Sequence, residues 1–344
     1  MISALRDFIH PHGTLEALEK AIDKCRADLF LSNPEIDRAN LISVKGDRVN
    51  GTCEWIQKNE GYHAWSRGET PLLWICGGPG KGKTMLSIYL TQMLEKENQV
   101  IYYFCSSEDE QRSTSIAVLR GLIWQVTAKR RELTQHVLPY FDQAQLAQAT
   151  LASRETLWST LAAVLKDPAL GDLVCVLDGL DECDADSTRW LVAKFVQFFS
   201  SQEDLTSSST AARLVIVSRD ISGLRQTAQV KLDPDNDDQV AIDIKEFAAT
   251  KVLTLSGLDG YNEAFRKTVQ DFHSLRARKA PSCGLASSWR SYHESQPAPK
   301  SPRRSKLYHM DCTRTTVGCS SGSNRYTGKS ALSFSVGSLS HNDT

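Results

Sequence analysis

Eight consecutive residues have the types and spacing of a phosphate-binding loop: Gly77, Gly78, Pro79, Gly80, Lys81, Gly82, Lys83 and Thr84. They match GxxxxGK[ST], in which glycines let backbone N–H groups turn inward around phosphate oxygens. The loop follows an apolar run, Leu72–Cys76, and opens a helical pattern, so a helix N-terminus adds partial positive charge. Lys83 is predicted to reach the β- and γ-phosphates and the Thr84 hydroxyl to ligate Mg²⁺. The alternative is a glycine-rich turn without a ligand.

Acidic residues follow another apolar run, Leu173–Leu177. Asp178 is predicted to leave the end of this strand facing the phosphate loop and to hold Mg²⁺. Glu182 is placed to polarise an attacking water, and Asp181 to support the site electrostatically. The alternative is a solvated acidic turn after a strand.

A third candidate, Arg219, follows the apolar run Leu214–Ser218. In many sheets that carry a phosphate loop, this strand end lies beside the one that bears Asp178. Arg219 is predicted to sense the γ-phosphate or to hold a switch element; the alternative is a surface arginine. Residues 106–109 are interpreted as a solvated loop. The sequence contains no NKxD motif, which favours adenine over guanine, and neither a His/Cys metal cluster nor a GxSxG elbow.

Short apolar runs that alternate with helical patterns must position these residues. The runs predict five strands, at 72–76, 100–105, 173–177, 214–218 and 230–232, and the main helical patterns cover 15–30, 84–96, 115–128, 155–166, 188–200 and 239–252. Continuous apolar strands separated by helices predict an α/β fold with a mostly parallel five-stranded sheet covered on both faces. Thr14 is the predicted cap of the first helix, and the segment LSNPEIDR is predicted to break that helix at Pro34. Residues 40–68 are interpreted as a mixed connector with a helical piece at Cys53–Lys58.

Composition and charge exclude several classes of protein. The 344 residues hold 40 Lys and Arg against 41 Asp and Glu, which excludes a globally basic nucleic-acid binder and a highly charged disordered chain. No apolar run reaches the roughly 18 residues of a membrane span. The nine cysteines are scattered and predict reduced thiols in the cytoplasm.

The strings GGPGKGKT, VLDGLDECD and LVIVSRD together resemble the NACHT domains of fungal STAND-type signalling NTPases. That group includes heterokaryon-incompatibility proteins and proteins with a nephrocystin-3-like N-terminal domain. The resemblance covers residues 25–270, where DLFLSNPEIDR, LISVKGDRVNGTCEWI and VKLDPDNDDQVAIDI also look like the family. It implies a three-layer P-loop fold with the Walker-A strand central, tight binding of ATP or ADP with Mg²⁺, and slow hydrolysis. Exchange of ADP for ATP would act as a switch, with self-association as the further partner.

The resemblance also carries over residue roles and a domain organisation. It makes Gly77 to Thr84 phosphate-binding, Asp178 the magnesium residue, Asp181 and Glu182 the acidic pair, and Arg219 the first sensor, with 49–55 near the adenine. We expect a helical N-terminal region and connector at 1–68, the NTPase core at 69–235, the start of a helical module at 236–270 and a disordered basic tail at 271–344. Relatives continue into further modules and repeats that this sequence lacks. A non-functional truncated fragment and a P-loop kinase or transferase therefore remain as alternatives.

The last 74 residues differ from the rest of the chain. Residues 271–344 hold 11 Lys and Arg against 4 Asp and Glu and are rich in Ser, Pro, Thr and Gly. When they are read one frame away, 279–285 can encode GTFLWV, 286–292 IVMEEL and 315–321 YSRMLL, which resemble the helices that follow in the family. We therefore expect residues from about 272 onward to be the product of a frameshift or a mis-called splice junction; the alternative is a genuine basic tail.

Overall fold

Five parallel strands form the central layer. The computed structural model describes residues 14–200, 212–232 and 238–256. Its strands are β1 (Leu72–Gly77), β2 (Gln99–Phe104), β3 (Leu173–Asp178), β4 (Ala212–Ser218) and β5 (Ala228–Leu232). They are ordered β2-β3-β4-β1-β5, and every neighbouring pair is parallel. The predicted α/β fold is confirmed. The expectation that the Walker-A strand is central is wrong by one place, because β4 pairs with both β1 and β3 and takes the middle position.

Helices lie on both faces of the sheet and before it. They are α1 (Leu15–Leu29), α2 (Pro34–Lys45), α3 (Glu60–Ser66), α4 (Lys83–Leu94), α5 (Ser115–Lys129), α6 (Ala144–Ala152), α7 (Arg154–Lys166), α8 (Ala185–Ser200) and α9 (Asp238–Ser256). Thr14 caps α1, as predicted, by accepting a hydrogen bond from the N–H of Ala17 at 3.2 Å. The interpretation of 40–68 as a mixed connector is wrong at both ends, where α2 and α3 are regular helices. The first helix ends before Pro34, as predicted. Pro34 also starts α2, which was not predicted, because proline suits the first helical turn and Asn33 caps it.

Alternation along each strand divides the core into two apolar layers. On β1, Trp74 faces the layer formed with α1, α5, α7 and α8, whereas Leu73 and Ile75 face the layer formed with α3 and α4. All three side chains are at most 1 % exposed. Burial on both faces explains why the strands are continuous apolar runs in the sequence. The sheet is thereby the middle of three layers, and its carboxyl edge is where the candidate residues emerge.

Helix α9, which follows the last strand, is hydrogen-bonded to residues that precede the first strand. The Asp243 carboxylate on α9 accepts hydrogen bonds from the backbone N–H of Cys53 at 2.6 Å and from Nε1 of Trp55 at 3.0 Å. Cys53 has a φ of 68°, a conformation that side chains other than glycine rarely adopt. Arg48, which lies over the Tyr89 ring of α4 at 4.8 Å, ties the same turn to the helix that opens at the phosphate loop. Residues 48–55, α4 and α9 thus form one connected unit.

Within the part of the chain that the structure describes, no helix is both long and apolar enough to cross a membrane. The predictions for the tail at 271–344 concern residues outside that part.

Candidate phosphate-binding and magnesium site

The predicted phosphate loop connects β1 to α4 at the carboxyl edge of the sheet. Gly80 and Gly82 have φ values of 73° and 77°, which glycine adopts without strain. Gly77 lies against β5, where an added Cβ would come within 2.8 Å of the Leu232 Cβ. The remaining loop residues, Gly78, Pro79 and Lys81, lie between these points. Since α4 begins at Lys83, the free N–H groups of its first turn face this loop, as an anion site requires.

Lys83 turns its side chain into the loop. Its Nζ donates hydrogen bonds to the carbonyl oxygens of Gly77 at 2.9 Å and Gly78 at 2.8 Å. Burial lowers the pKa of Lys83, and the carboxylate of Asp181 opposes that shift. The ammonium group is therefore hydrogen-bonded to neutral carbonyl oxygens of the loop. An anionic ligand in the loop would attract it more strongly than these carbonyls do.

Asp178, the last residue of β3, lies beside the start of α4. It is 5 % exposed, and its Oδ1 accepts a hydrogen bond from the Ser87 hydroxyl at 2.7 Å. Burial raises the pKa of Asp178 to about 6, while hydrogen bonds from the side chains of Ser87 and Thr84 favour the ionised carboxylate. Asp178 and Thr84 are thus brought together as the sequence predicted. Ser87 was not predicted, because a serine inside a helical pattern carries no signal of its own.

The oxygen donors at this point suit Mg²⁺. Magnesium prefers hard oxygen ligands and is usually held by one or two carboxylates together with phosphates of the substrate. Asp178 supplies a carboxylate and Thr84 a hydroxyl, next to the loop that would hold those phosphates. Among the described residues, no group of three or more His, Cys, Asp or Glu could hold a metal. The donor set therefore fits a cation that is bound together with a phosphate ligand.

Asp181 and Arg219 form an ion pair across the ends of β3 and β4. Arg219 donates from its backbone N–H to Asp181 Oδ1 at 2.9 Å, and its Nε lies 3.2 Å from Oδ2. The Arg219 side chain is 57 % exposed, so it can leave this position at little cost. The β3–β4 pairing that the sequence analysis expected is what joins these two residues.

Glu182 lies on the turn after β3 and is partly exposed. Its Oε2 accepts a long hydrogen bond, 3.4 Å, from the backbone N–H of Ser107, which follows β2. The loop that was interpreted as merely solvated therefore touches the acidic turn. The buried Ser218 hydroxyl oxygen accepts a hydrogen bond from Nε1 of Trp74 at 2.8 Å and joins the end of β4 to the middle of β1, another contact that the sequence did not reveal.

Comparison with known proteins agrees with this geometry. Residues 51–219, just under half of the 344 residues, match the family described as Nephrocystin 3, N-terminal. The chain is 31 % identical over 197 residues to the vegetative incompatibility protein HET-E-1 of Podospora anserina, a match that covers 53 % of this chain and 14 % of HET-E-1.

A solved structure of the ORC2 protein of Aeropyrum pernix in ADPNP-ADP complexes aligns over 70 % of this chain and 71 % of its own, with a TM-score of 0.36 and 11 % identity, which is a distant likeness. The sheet order and the phosphate loop give the α/β arrangement described above, and within it residues 51–219 are similar to the Nephrocystin 3, N-terminal family and to HET-E-1.

Proposed function

We propose that the chain binds ATP or ADP with Mg²⁺ at this site and hydrolyses ATP slowly, as a nucleotide-dependent signalling switch. The observation that carries the proposal is the meeting of three groups at one edge of the sheet. These are the glycine loop of residues 77–82, the ammonium of Lys83, and the buried Asp178 with its neighbour Thr84. The loop amides would hold the phosphates, and Lys83 would exchange its carbonyl partners for phosphate oxygens.

The acidic turn and Arg219 would take part in the slow hydrolysis of ATP. Mg²⁺, when bound, would neutralise charge on the transferred phosphate, held by Thr84 and Asp178. Glu182, partly exposed on the acidic turn, would accept a proton from the attacking water. Arg219, paired with Asp181, would turn toward the γ-phosphate. We expect hydrolysis to be slow in the isolated chain, as in the signalling NTPases that the sequence resembles.

The signalling role is proposed from the likeness to HET-E-1. HET-E-1 is named for vegetative incompatibility, and this chain spans only 14 % of it. By that likeness we propose a fungal self/non-self or innate-immunity-like role, with assembly of copies as the output. The connected unit of 48–55, α4 and α9 supports a switch, since a change at the phosphate loop would be transmitted to the helix after the sheet. We place it in the cytoplasm, where thiols such as the six buried free cysteines of the described residues stay reduced.

The proposal is tested by ATP binding and hydrolysis of the full chain and of Glu182→Gln. We expect Glu182→Gln to retain ATP affinity and to lose about 100-fold or more in hydrolysis, because general-base catalysis typically contributes that much. Glu108→Gln, which changes an exposed acid in the neighbouring loop, is the matched control and should hydrolyse ATP like the unaltered chain. Failure of the unaltered chain to bind ATP, or a preference for GTP, would refute the proposed function.

A further inference from the structure

Ser87 is a buried hydroxyl that lies next to the magnesium aspartate. It is three residues after Thr84 on α4 and 0 % exposed. Its Oγ is 2.7 Å from Asp178 Oδ1 and 3.1 Å from the carbonyl oxygen of Lys83, one turn back. Nothing in the phosphate-loop pattern requires a hydroxyl at this position, because the pattern ends at Thr84.

The hydroxyl has one proton and two acceptors within reach. A carboxylate is a stronger acceptor than a backbone carbonyl, and it is also the nearer of the two here. Thr160 shows what a buried helical hydroxyl does without such a neighbour: it donates only to the carbonyl of Thr156, at 2.9 Å. Ser87 therefore donates its proton to Asp178, and its contact with the Lys83 carbonyl oxygen is the weaker of the two.

Asp178 needs such a donor because it is buried. Lys83, the nearest cation in the loop, has its Nζ bound to the carbonyls of Gly77 and Gly78. The carboxylate is instead held by the hydroxyls of Ser87 and Thr84. Of these two, Thr84 is partly exposed and is the predicted metal ligand, whereas Ser87 lies one turn deeper in the helix.

We propose that Ser87 is a positioning residue: it fixes Oδ1 of Asp178 and thereby orients this carboxylate, which would hold Mg²⁺ that is bound with the nucleotide. The inference rests on the proposed function. The inference goes beyond that function, because it assigns the strength of cation binding to a residue outside the phosphate-binding pattern. Groups that orient a metal ligand typically contribute 10- to 100-fold to metal affinity.

The test uses the full chain, Ser87→Ala and Thr160→Val. Each variant removes one buried helical hydroxyl, but only Ser87 touches Asp178. The affinity for ATP is measured by calorimetry in EDTA and at saturating free Mg²⁺, and the ratio gives the factor by which Mg²⁺ tightens binding. We expect Ser87→Ala to bind ATP normally in EDTA and to reduce that factor by about tenfold or more. Thr160→Val should leave both affinities unchanged.

The outcomes separate the inference from the proposed function. A merely structural serine would weaken binding equally with and without Mg²⁺, and that result would overturn the inference, as would a factor unchanged in Ser87→Ala. If the unaltered chain binds no ATP in either condition, the proposed function fails and takes the inference with it.

Discussion

Replacing Asp178 by asparagine should stabilise the nucleotide-free protein while removing the predicted magnesium ligand. Burial raises the pKa of Asp178 from 3.8 to about 6. Each unit of pKa corresponds to 1.36 kcal/mol, so keeping this carboxylate ionised at neutral pH costs the folded state about 3 kcal/mol. Total stabilities of domains are about 5–15 kcal/mol, so the effect is large enough to measure.

The sign of the pH dependence follows from the raised pKa. A carboxyl whose pKa is higher in the folded than in the unfolded state contributes stability in its protonated form. That contribution is fully present below pH 3.8 and is lost as pH rises through about 6. Asparagine has no such titration. The advantage of Asp178→Asn should therefore grow by about 2–3 kcal/mol between about pH 4 and pH 8.

The assay is urea unfolding in EDTA without nucleotide, at several pH values across that range. Asp172→Asn is the control, because Asp172 is an exposed acid just before the same strand. Its difference from the unaltered chain should stay near zero throughout. A constant difference between Asp178→Asn and the unaltered chain would refute the reasoning, since burial would then impose no cost on the charge.

Two further predictions concern packing around the site. Asp243→Ala should lower the free energy of unfolding in urea by about 1–3 kcal/mol, because the partly buried N–H groups of Cys53 and Trp55 lose their acceptor. Asp23→Ala, which changes an exposed acid, is the control, and equal effects would contradict the assignment. Gly121→Ala would normally stabilise a helix by about 0.5–1 kcal/mol, but its Cβ would lie 2.6 Å from the Tyr103 ring. We expect a loss of about 1–3 kcal/mol in the same assay instead, and a gain would show that the ring can move aside.

The strands could be predicted because burial on both faces leaves a continuous apolar run, as in 173–177. The helices α2, α3 and α6 were not predicted. For α2 the reason is that it has no fully buried residue, so its apolar pattern is mixed. Pro34 was correctly predicted to break the first helix, but the start of the next helix at the same residue was missed, although proline is favoured in the first turn of a helix. The strand order needs pairing between distant segments, which is why β1 was placed one position from where it lies.

The site likewise contains residues that the sequence predicts and residues that it does not. The phosphate loop and Asp178 follow from local patterns, in which residue type, spacing and the preceding strand agree. Ser87 and Asp243 act through contacts to residues 91 and 190 positions away, namely Asp178 and Cys53. Such contacts leave no trace in the local pattern, because a serine or an aspartate on a helix is usually solvated. Tertiary structure is needed to find them.

The measurement that tests the central claim most directly is a thermal-shift titration of the full chain with ATP, ADP and GTP in the presence of Mg²⁺. Ligand at 100 times its dissociation constant adds about 2.7 kcal/mol, which is readily detected as a rise in melting temperature. Lys83→Ala removes the ammonium that is proposed to reach the phosphates, and Lys96→Ala, which changes an exposed lysine just beyond the same helix, is the control. We predict an adenine-selective rise in the unaltered chain and in Lys96→Ala that is absent in Lys83→Ala. A flat response of the folded, unaltered chain, or an equal rise in Lys83→Ala, would contradict nucleotide binding at this site.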